Sequence, residues 1–234
     1  MNLLLLRDED FLADGTARLS GRRLLHAREV LGAAEGDVLR VGRLGGKVGT
    51  AVVLHLDAAA LVLRCDLTEP PPARAGVDLL LAIPRPKALR RILPAAAALG
   101  VDRIVLVNAA RVEKSYFDSK VHQQVEDLLV LGLEQARDTR LPEVLVRERF
   151  RPFVEDELEA AFAGAARLLA HPGAEKAAPR TEGRVVLAIG PEGGWVEFEV
   201  ALLEAHGFVP FTLGPRPLRV EVALPYALGV LARR

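Results

Sequence analysis

The chain has 234 residues, 50% hydrophobic and 26% charged, with 31 basic side chains against 31 acidic ones. That length buries one good core or two unequal ones, and a formal net charge of zero argues against an indiscriminate nucleic-acid binder, which needs clustered positive charge. Cys65 is the single cysteine, the five histidines lack ligand spacing and no apolar run is long enough to cross a bilayer. Disulfide scaffolds, metal sites and membrane spans therefore drop out, and a cytoplasmic location is expected.

The opening MNLLLLRDEDF carries four leucines before charge intervenes, which suits a first strand at Leu3 to Leu6 rather than a secretory signal. Arg18, Arg22, Arg23, His26 and Arg28 follow without an acid between Gly15 and Arg28, and Gly21 to Leu31 fits a short helix with apolar Leu24, Leu25 and Val30. From Glu35 to Cys65, Gly36-Asp37, Gly45-Gly46 and Asp57 punctuate runs of valine and leucine. Short strands separated by glycine turns predict a compact barrel or meander over residues 1–69, with Cys65 as a buried strand thiol. The segment TEPPPARAG, Thr68 to Gly76, is a stiff extended connector, and its residues 70–76 are read as the domain linker.

Residues 77–234 alternate strands with helices. Apolar runs at 77–83, 103–107, 166–170, 185–189 and 208–213 predict strands. Helical spacing links Leu89, Ile92, Leu93 and Ala96 up to Gly100, and Val121, Val125, Leu128, Leu129, Leu133 and Ala136. Two further helices are expected from Glu197 to His206 and from Glu221 to the C-terminus. The pattern predicts an α/β domain with a mostly parallel sheet, whose ligands bind at the carboxyl ends of the strands.

Two loops at such ends carry unusual residues. In IGPEGGW, Ile189 to Trp195, a strand runs into a Gly-Pro turn and paired glycines open a helix. Glycines there let a ligand approach backbone amides, although a plain strand-to-helix turn would read the same way. The P-loop lysine and the spacing G-x-G-x-x-G are both missing. Trp195 suits packing at the helix start or stacking on a base. In LGPRPLRVEVALPYAL, Leu213 to Leu228, rigid turn residues flank Arg216, Arg219 and Glu221. Such arginines suit an anion or a carbonyl-rich base, or else simply pair with nearby carboxylates.

IGPEGGW followed by LGPRPLRVEVA closely resembles the uridine-N(3) methyltransferases of small-subunit ribosomal RNA, members of the SPOUT class of knotted α/β enzymes. HAREVLGAAEGDVLRVG resembles that family's PUA-like barrel, and LRRILPAAAALGVDRIVLV and EQARDTRLPEV resemble its catalytic domain. The resemblance implies a trefoil knot in the last third of the chain, a homodimer, and S-adenosylmethionine as cofactor. It also implies ribosomal RNA, or the small ribosomal subunit, as partner. Carried over by position, the cofactor residues are His171, Pro172, Ile189, Gly190, Pro191, Glu192, Gly193, Gly194, Leu213, Gly214 and Leu218.

Methyl transfer to a uridine nitrogen needs a base that is unpaired or extruded, and asks the protein to stabilise negative charge on its carbonyl oxygens. Arg219 and Arg216 are the candidates for that, with Glu221 or Glu192 to position Arg219 or take the proton. Arg22, Arg23, Arg28, Arg85 and Lys87 are the candidate RNA contacts, each basic run being equally readable as a solvated face. The family's acid-Thr-Ala is Glu221-Val222-Ala223 here, Pro225 stands inside the last helix, and Val196 replaces the usual hydroxyl cap. PRPKALRR is also more basic than the family's segment. These departures leave open a divergent member acting on another RNA site, or a knotted RNA-binding protein without turnover.

Overall fold

The computed structural model describes residues 3–231 and divides into two units. The first runs to Ala73 and also takes in Val130–Leu141; the second comprises Arg74–Leu129 and Pro142 onward. A contiguous boundary at the proline segment misses that excursion, because nothing in the periodicity of a helix says which core covers each end.

The first unit holds a five-stranded sheet in the order β1-β3-β4-β5-β2. Its strands are β1 (Leu4–Leu6), β2 (Thr16–Leu19), β3 (Val38–Arg43), β4 (Val48–Leu56) and β5 (Leu61–Glu69). All pairs are antiparallel except β1 with β3. Side chains alternate as a half-buried sheet requires: Ala51 and Val53 of β4 are buried, whereas Thr50 and Val52 point out. With Leu4, Leu6, Ala17, Leu19, Val41, Leu61 and Leu63 they form one apolar core. At Gly49 a side chain is excluded, since a β-carbon there would lie 1.9 Å from the Asp66 carbonyl oxygen, and the β4–β5 register shifts at this point.

The expected helix at Gly21 to Leu31 is a short α1 (Gly21–Leu25) that widens into a looser turn over His26–Val30. Its arginines are held by acids of the same unit. Arg22 makes a bidentate pair with Glu134 at 3.0 and 3.2 Å. Arg23 grips the buried Asp10 with both terminal nitrogens and also donates to the Leu5 carbonyl. Arg28 pairs only with its neighbour Glu29, at 3.0 Å.

The second unit holds a six-stranded, all-parallel sheet in the order β11-β9-β10-β6-β7-β8. The strands are β6 (Val77–Ala82), β7 (Arg103–Val107), β8 (Glu143–Arg147), β9 (Ala166–Ala170), β10 (Val185–Ile189) and β11 (Val209–Phe211). Central β6 and β10 are buried at every position, the reason they read as continuous apolar runs. The one acid in them, Asp78, is held by Arg184 at 2.6 Å, and burial pushes its carboxyl up.

Helices α2 (Pro86–Ala98), α3 (Lys114–Phe117), α4 (Val125–Ala136), α5 (Phe150–Pro152), α6 (Leu158–Ala161), α7 (Glu197–Ala205) and α8 (Val220–Leu231) complete the chain, and the end of α4 belongs to the first unit. Strands β2 and β8 lie outside the sequence reading, because each is an interrupted, half-exposed run at a sheet edge. The helical stretch from Phe150 to Ala161 also escapes it, since the wide turn at Phe153–Glu157 breaks the 3.6-residue period. Cys65 sits on β5 but is half-buried rather than buried.

Among the described residues no helix is long and apolar enough to cross a membrane. Because Asp10 is 6% exposed, removing its partner strands a buried charge. Arg23→Ala is therefore expected to cost about 3 kcal/mol of unfolding free energy. Arg28→Ala, which breaks only an exposed pair, should change stability little. Urea denaturation of the two variants checks the contrast.

Candidate functional site

Strands β11, β9 and β10 are neighbours, so the loops that leave their carboxyl ends converge. His171–Gly173 follows β9, Gly190–Trp195 follows β10, and Leu213–Leu218 follows β11. Together with Val220 and Ala223 of α8 and Arg111 from the loop after β7, they line a cavity of about 330 Å3. His171, Pro172, Ile189, Gly190, Pro191, Glu192, Gly193, Gly194, Leu213, Gly214 and Leu218 all lie on it, and so does Arg216.

Each loop has a local reason for its course. A side chain at Gly190 would crowd the turn, because a β-carbon there would lie 3.0 Å from the Trp195 backbone nitrogen and 3.1 Å from its ring. Trp195 folds back over this glycine, is 5% exposed, and packs against Phe150 with ring centroids 5.3 Å apart. It is a core residue at the helix start. Gly214 has φ +108°, a conformation L side chains rarely adopt, and its amide donates to the Thr212 hydroxyl at 3.0 Å.

Helix α7 begins at Val196, whose side chain cannot accept a bond from the helix amides. Glu199 completes the turn from the other side. Its carboxylate accepts the Val196 amide at 2.9 Å and, with the second oxygen, the Ala110 amide at 2.7 Å, while the residue is only 2% exposed. The same loop is tied down again where the Arg111 guanidinium donates to the Gly193 carbonyl.

Arg219 and Glu221 stand elsewhere. They line a second cavity of about 250 Å3 with Arg85, Lys87, Ala88 and Arg91, so the two arginines of the late loop serve different spaces. The Arg85 amide and Nε both donate to Glu192 Oε1, at 3.1 and 3.2 Å, which joins the walls of the two cavities. Arg91 Nη1 is 3.7 Å from Glu221 Oε1, and Glu221 Oε2 is buried without a hydrogen-bond partner. Among the described residues, no group of three or more His, Cys, Asp or Glu side chains is placed to hold a metal ion.

Residues 71–232 match the family model described as RNA methyltransferase domain. The chain belongs to this RNA methyltransferase family. The ribosomal RNA small subunit methyltransferase E of Treponema pallidum is 32% identical over 241 residues, covering 99% of this chain and 90% of that protein. A protein of Legionella pneumophila described as a methyltransferase, solved with its cofactor S-adenosylmethionine bound, is 26% identical with a TM-score of 0.77, covering 100% of this chain and 98% of that one. The ribosomal RNA small subunit methyltransferase E of Neisseria gonorrhoeae, solved with S-adenosylmethionine, has the same fold at a TM-score of 0.78 and 22% identity, covering 99% and 97% of the two chains.

Within this family frame, the residues at which the sequence departs have visible consequences. Val222 is 48% exposed on α8, so it gives up a hydroxyl at the surface rather than in a packed core. Pro225 removes one helical amide, yet α8 continues from Val220 to Leu231. Two residues that shape the site escape sequence reasoning. Glu199 had a legible signal, since an acid three residues after a helix start is the reciprocal half of a capping box. Arg111 had none, because only the fold brings its loop to Gly193.

Glu199→Ala leaves two backbone amides without their carboxylate and should lower unfolding free energy by about 2 kcal/mol. Glu199→Gln keeps one acceptor oxygen and should lose roughly half as much. Equal losses in urea denaturation of the two variants would contradict the double-acceptor role.

Proposed function

We propose that this protein transfers a methyl group from S-adenosylmethionine to the N(3) position of a uridine in small-subunit ribosomal RNA. The observation that carries the reading is the cavity lined by the three loops after β9, β10 and β11, in a chain of the RNA methyltransferase family. The names of the relatives support ribosomal RNA as substrate, and the Legionella structure supports the cofactor.

The cavity suits that cofactor. Its volume of about 330 Å3 falls within the ~300–1,000 Å3 of small-molecule sites. Ile189, Leu213 and Leu218 offer apolar surface for an adenine, and the glycines at 190, 193, 194 and 214 line the cavity with backbone alone. Bound S-adenosylmethionine supplies a methyl group already activated on a sulfonium.

The protein's own tasks are then to bind, orient and stabilise charge. Arg216 lies on the cofactor cavity, and its planar fork suits the carbonyl oxygens of a uracil that has lost its N(3) proton. Arg219 and Glu221 line the neighbouring cavity, where Glu221 has an unpartnered carboxylate oxygen able to accept a proton. Arg216, Arg219 and Glu221 are proposed as the catalytic group, with Arg216 foremost. Arg85 and Lys87 are proposed as RNA contacts beside it. In the first unit, read as a PUA-like barrel over residues 1–69 that meets RNA, Arg28 is better disposed for phosphate than Arg22 and Arg23, which are committed to Glu134 and Asp10.

The reading extends to the assembly. The catalytic domain, proposed to span residues 77–234, would carry a trefoil knot in its last third. Val222, Tyr226 and Val230 recur every four residues on α8 and are 48, 52 and 37% exposed, an apolar stripe suited to a second copy of the chain. Sedimentation at micromolar concentration tests that dimer, and a monomer with intact activity would contradict it. A cytoplasmic location is part of the same proposal.

The deciding experiment incubates the protein with labelled S-adenosylmethionine and unmodified small ribosomal subunits, then analyses the RNA nucleosides by mass spectrometry. Label in 3-methyluridine is expected. Label in another nucleoside would move the target, and cofactor binding without any transfer would make this a knotted RNA-binding protein. In the same assay under single turnover, Arg216→Ala should slow transfer about a hundredfold, with cofactor affinity little changed. A rate within about threefold of the parent would remove Arg216 from the chemical step.

A further inference from the structure

The second cavity holds an arrangement of charge that neither the sheet nor the cofactor cavity requires. Arg85, Lys87 and Arg91 reach it from the start of α2, Arg219 from the residue before α8, and Glu221 is the one acid among the described residues that line it. We propose that this cavity binds a backbone phosphate of the RNA strand beside the target nucleotide. The inference rests on the reading of the chain as an RNA methyltransferase and adds a specific subsite to it.

Several independent features converge on an anion. The cations come from two elements far apart in sequence, so their grouping is fixed by the packing of α2 against α8 rather than by one basic run. Both helices begin here, with 13 and 12 residues, and helix N-termini carry partial positive charge and outward amides. The first turn of α2 contains no acid, and its N-cap residue Arg85 makes no side-chain capping bond. Four cations line the cavity with one carboxylate; Arg85 also pairs with Glu192 at 3.2 Å, and Glu221 engages Arg91 only at 3.7 Å, beyond a hydrogen bond. The side chains of Arg85 and Arg91 are 49 and 59% exposed, so their guanidinium groups are open to a ligand of the size of a phosphate. A volume of about 250 Å3 admits a phosphodiester and part of its sugar.

Position gives the site a use. Arg85 lines this cavity while its amide and Nε hold Glu192, which lines the cofactor cavity. A phosphate drawn to Arg85 and Lys87 is therefore seated one side chain away from the cofactor loop, which sets the register of the strand against the methyl donor. Phosphate contacts of this kind position the strand without reading its sequence. Glu221 tempers the attraction, so the strand can leave after turnover.

The test measures binding of purified 16S ribosomal RNA to the full-length protein saturated with S-adenosylmethionine, across a range of salt. Lys87→Ala and Arg91→Ala are each expected to weaken binding about tenfold at low salt and to reduce the log–log salt slope by about one. Glu221→Gln is expected to tighten binding several-fold, since it removes the acid from among the cations; a general base alone would leave affinity unchanged and lower only the rate. Calorimetry with S-adenosylmethionine should give parental affinity for Lys87→Ala and Arg91→Ala, which separates loss of the subsite from loss of the fold. Unchanged slope and affinity in both alanine variants, or a parent that does not bind the RNA, overturns the inference. If the parent binds RNA with the expected slope changes but never transfers methyl, the subsite stands and the enzymatic reading fails. If it methylates normally and the slopes do not move, only the subsite fails.

Discussion

The buried carboxylate of Glu199 fixes the geometry from which the site is built. It sits under the first turn of α7, accepts one amide from that turn and one from Ala110, and is 2% exposed. A charge taken that far out of water is tolerable only because both oxygens have donors and a helix N-terminus points at it. Losing either partner leaves an unsatisfied polar group in a low-dielectric setting, so the two loops are held together. Trp195, folded over Gly190, closes the same turn from the apolar side. The stretch from Gly190 to Trp195 is thereby set in place before any ligand arrives, which lowers the cost of ordering it on binding.

That rigidity divides the labour around it. On one side lies a cavity lined mainly by glycine, proline and aliphatic groups, with Arg111, His171, Glu192 and Arg216 on it, which suits a ligand held largely through backbone and shape. Across the wall formed by Arg85 and Glu192 lies a cavity lined by cations, which suits a polyanion. Arg216 serves the first and Arg219 the second, although only two residues lie between them in the chain. Pro217, between them, restricts the backbone and favours this divergence.

Much of this was legible in the sequence because it depends on residues whose constraints are local. The buried strands β6 and β10 show as apolar runs broken only by Asp78, and the glycines of IGPEGGW and LGPRP mark loops where backbone lies open. Other features depend on partners that no local pattern names. The edge strands β2 and β8 are short and bounded by polar residues or turns, and the wide turn at Phe153–Glu157 disguises a helix. Arg23 reads as a free surface cation until the fold brings Asp10 under it. Likewise, nothing within PRPKALRR or LGPRPLRVE says that their cations share one cavity; only the contact of α2 with α8 does.

The cavity proposed for the cofactor is central, and calorimetric titration of S-adenosylmethionine into the purified protein, with chelator present, tests it most directly. One molecule per chain should bind, one for each cavity formed by the loops after β9, β10 and β11. Gly214→Val should abolish most of that heat while the protein remains folded, since its φ of +108° admits no branched side chain without shifting the loop after β11. Absence of binding to the parent, or parental affinity in a folded Gly214→Val, would contradict the assignment of this cavity to the cofactor.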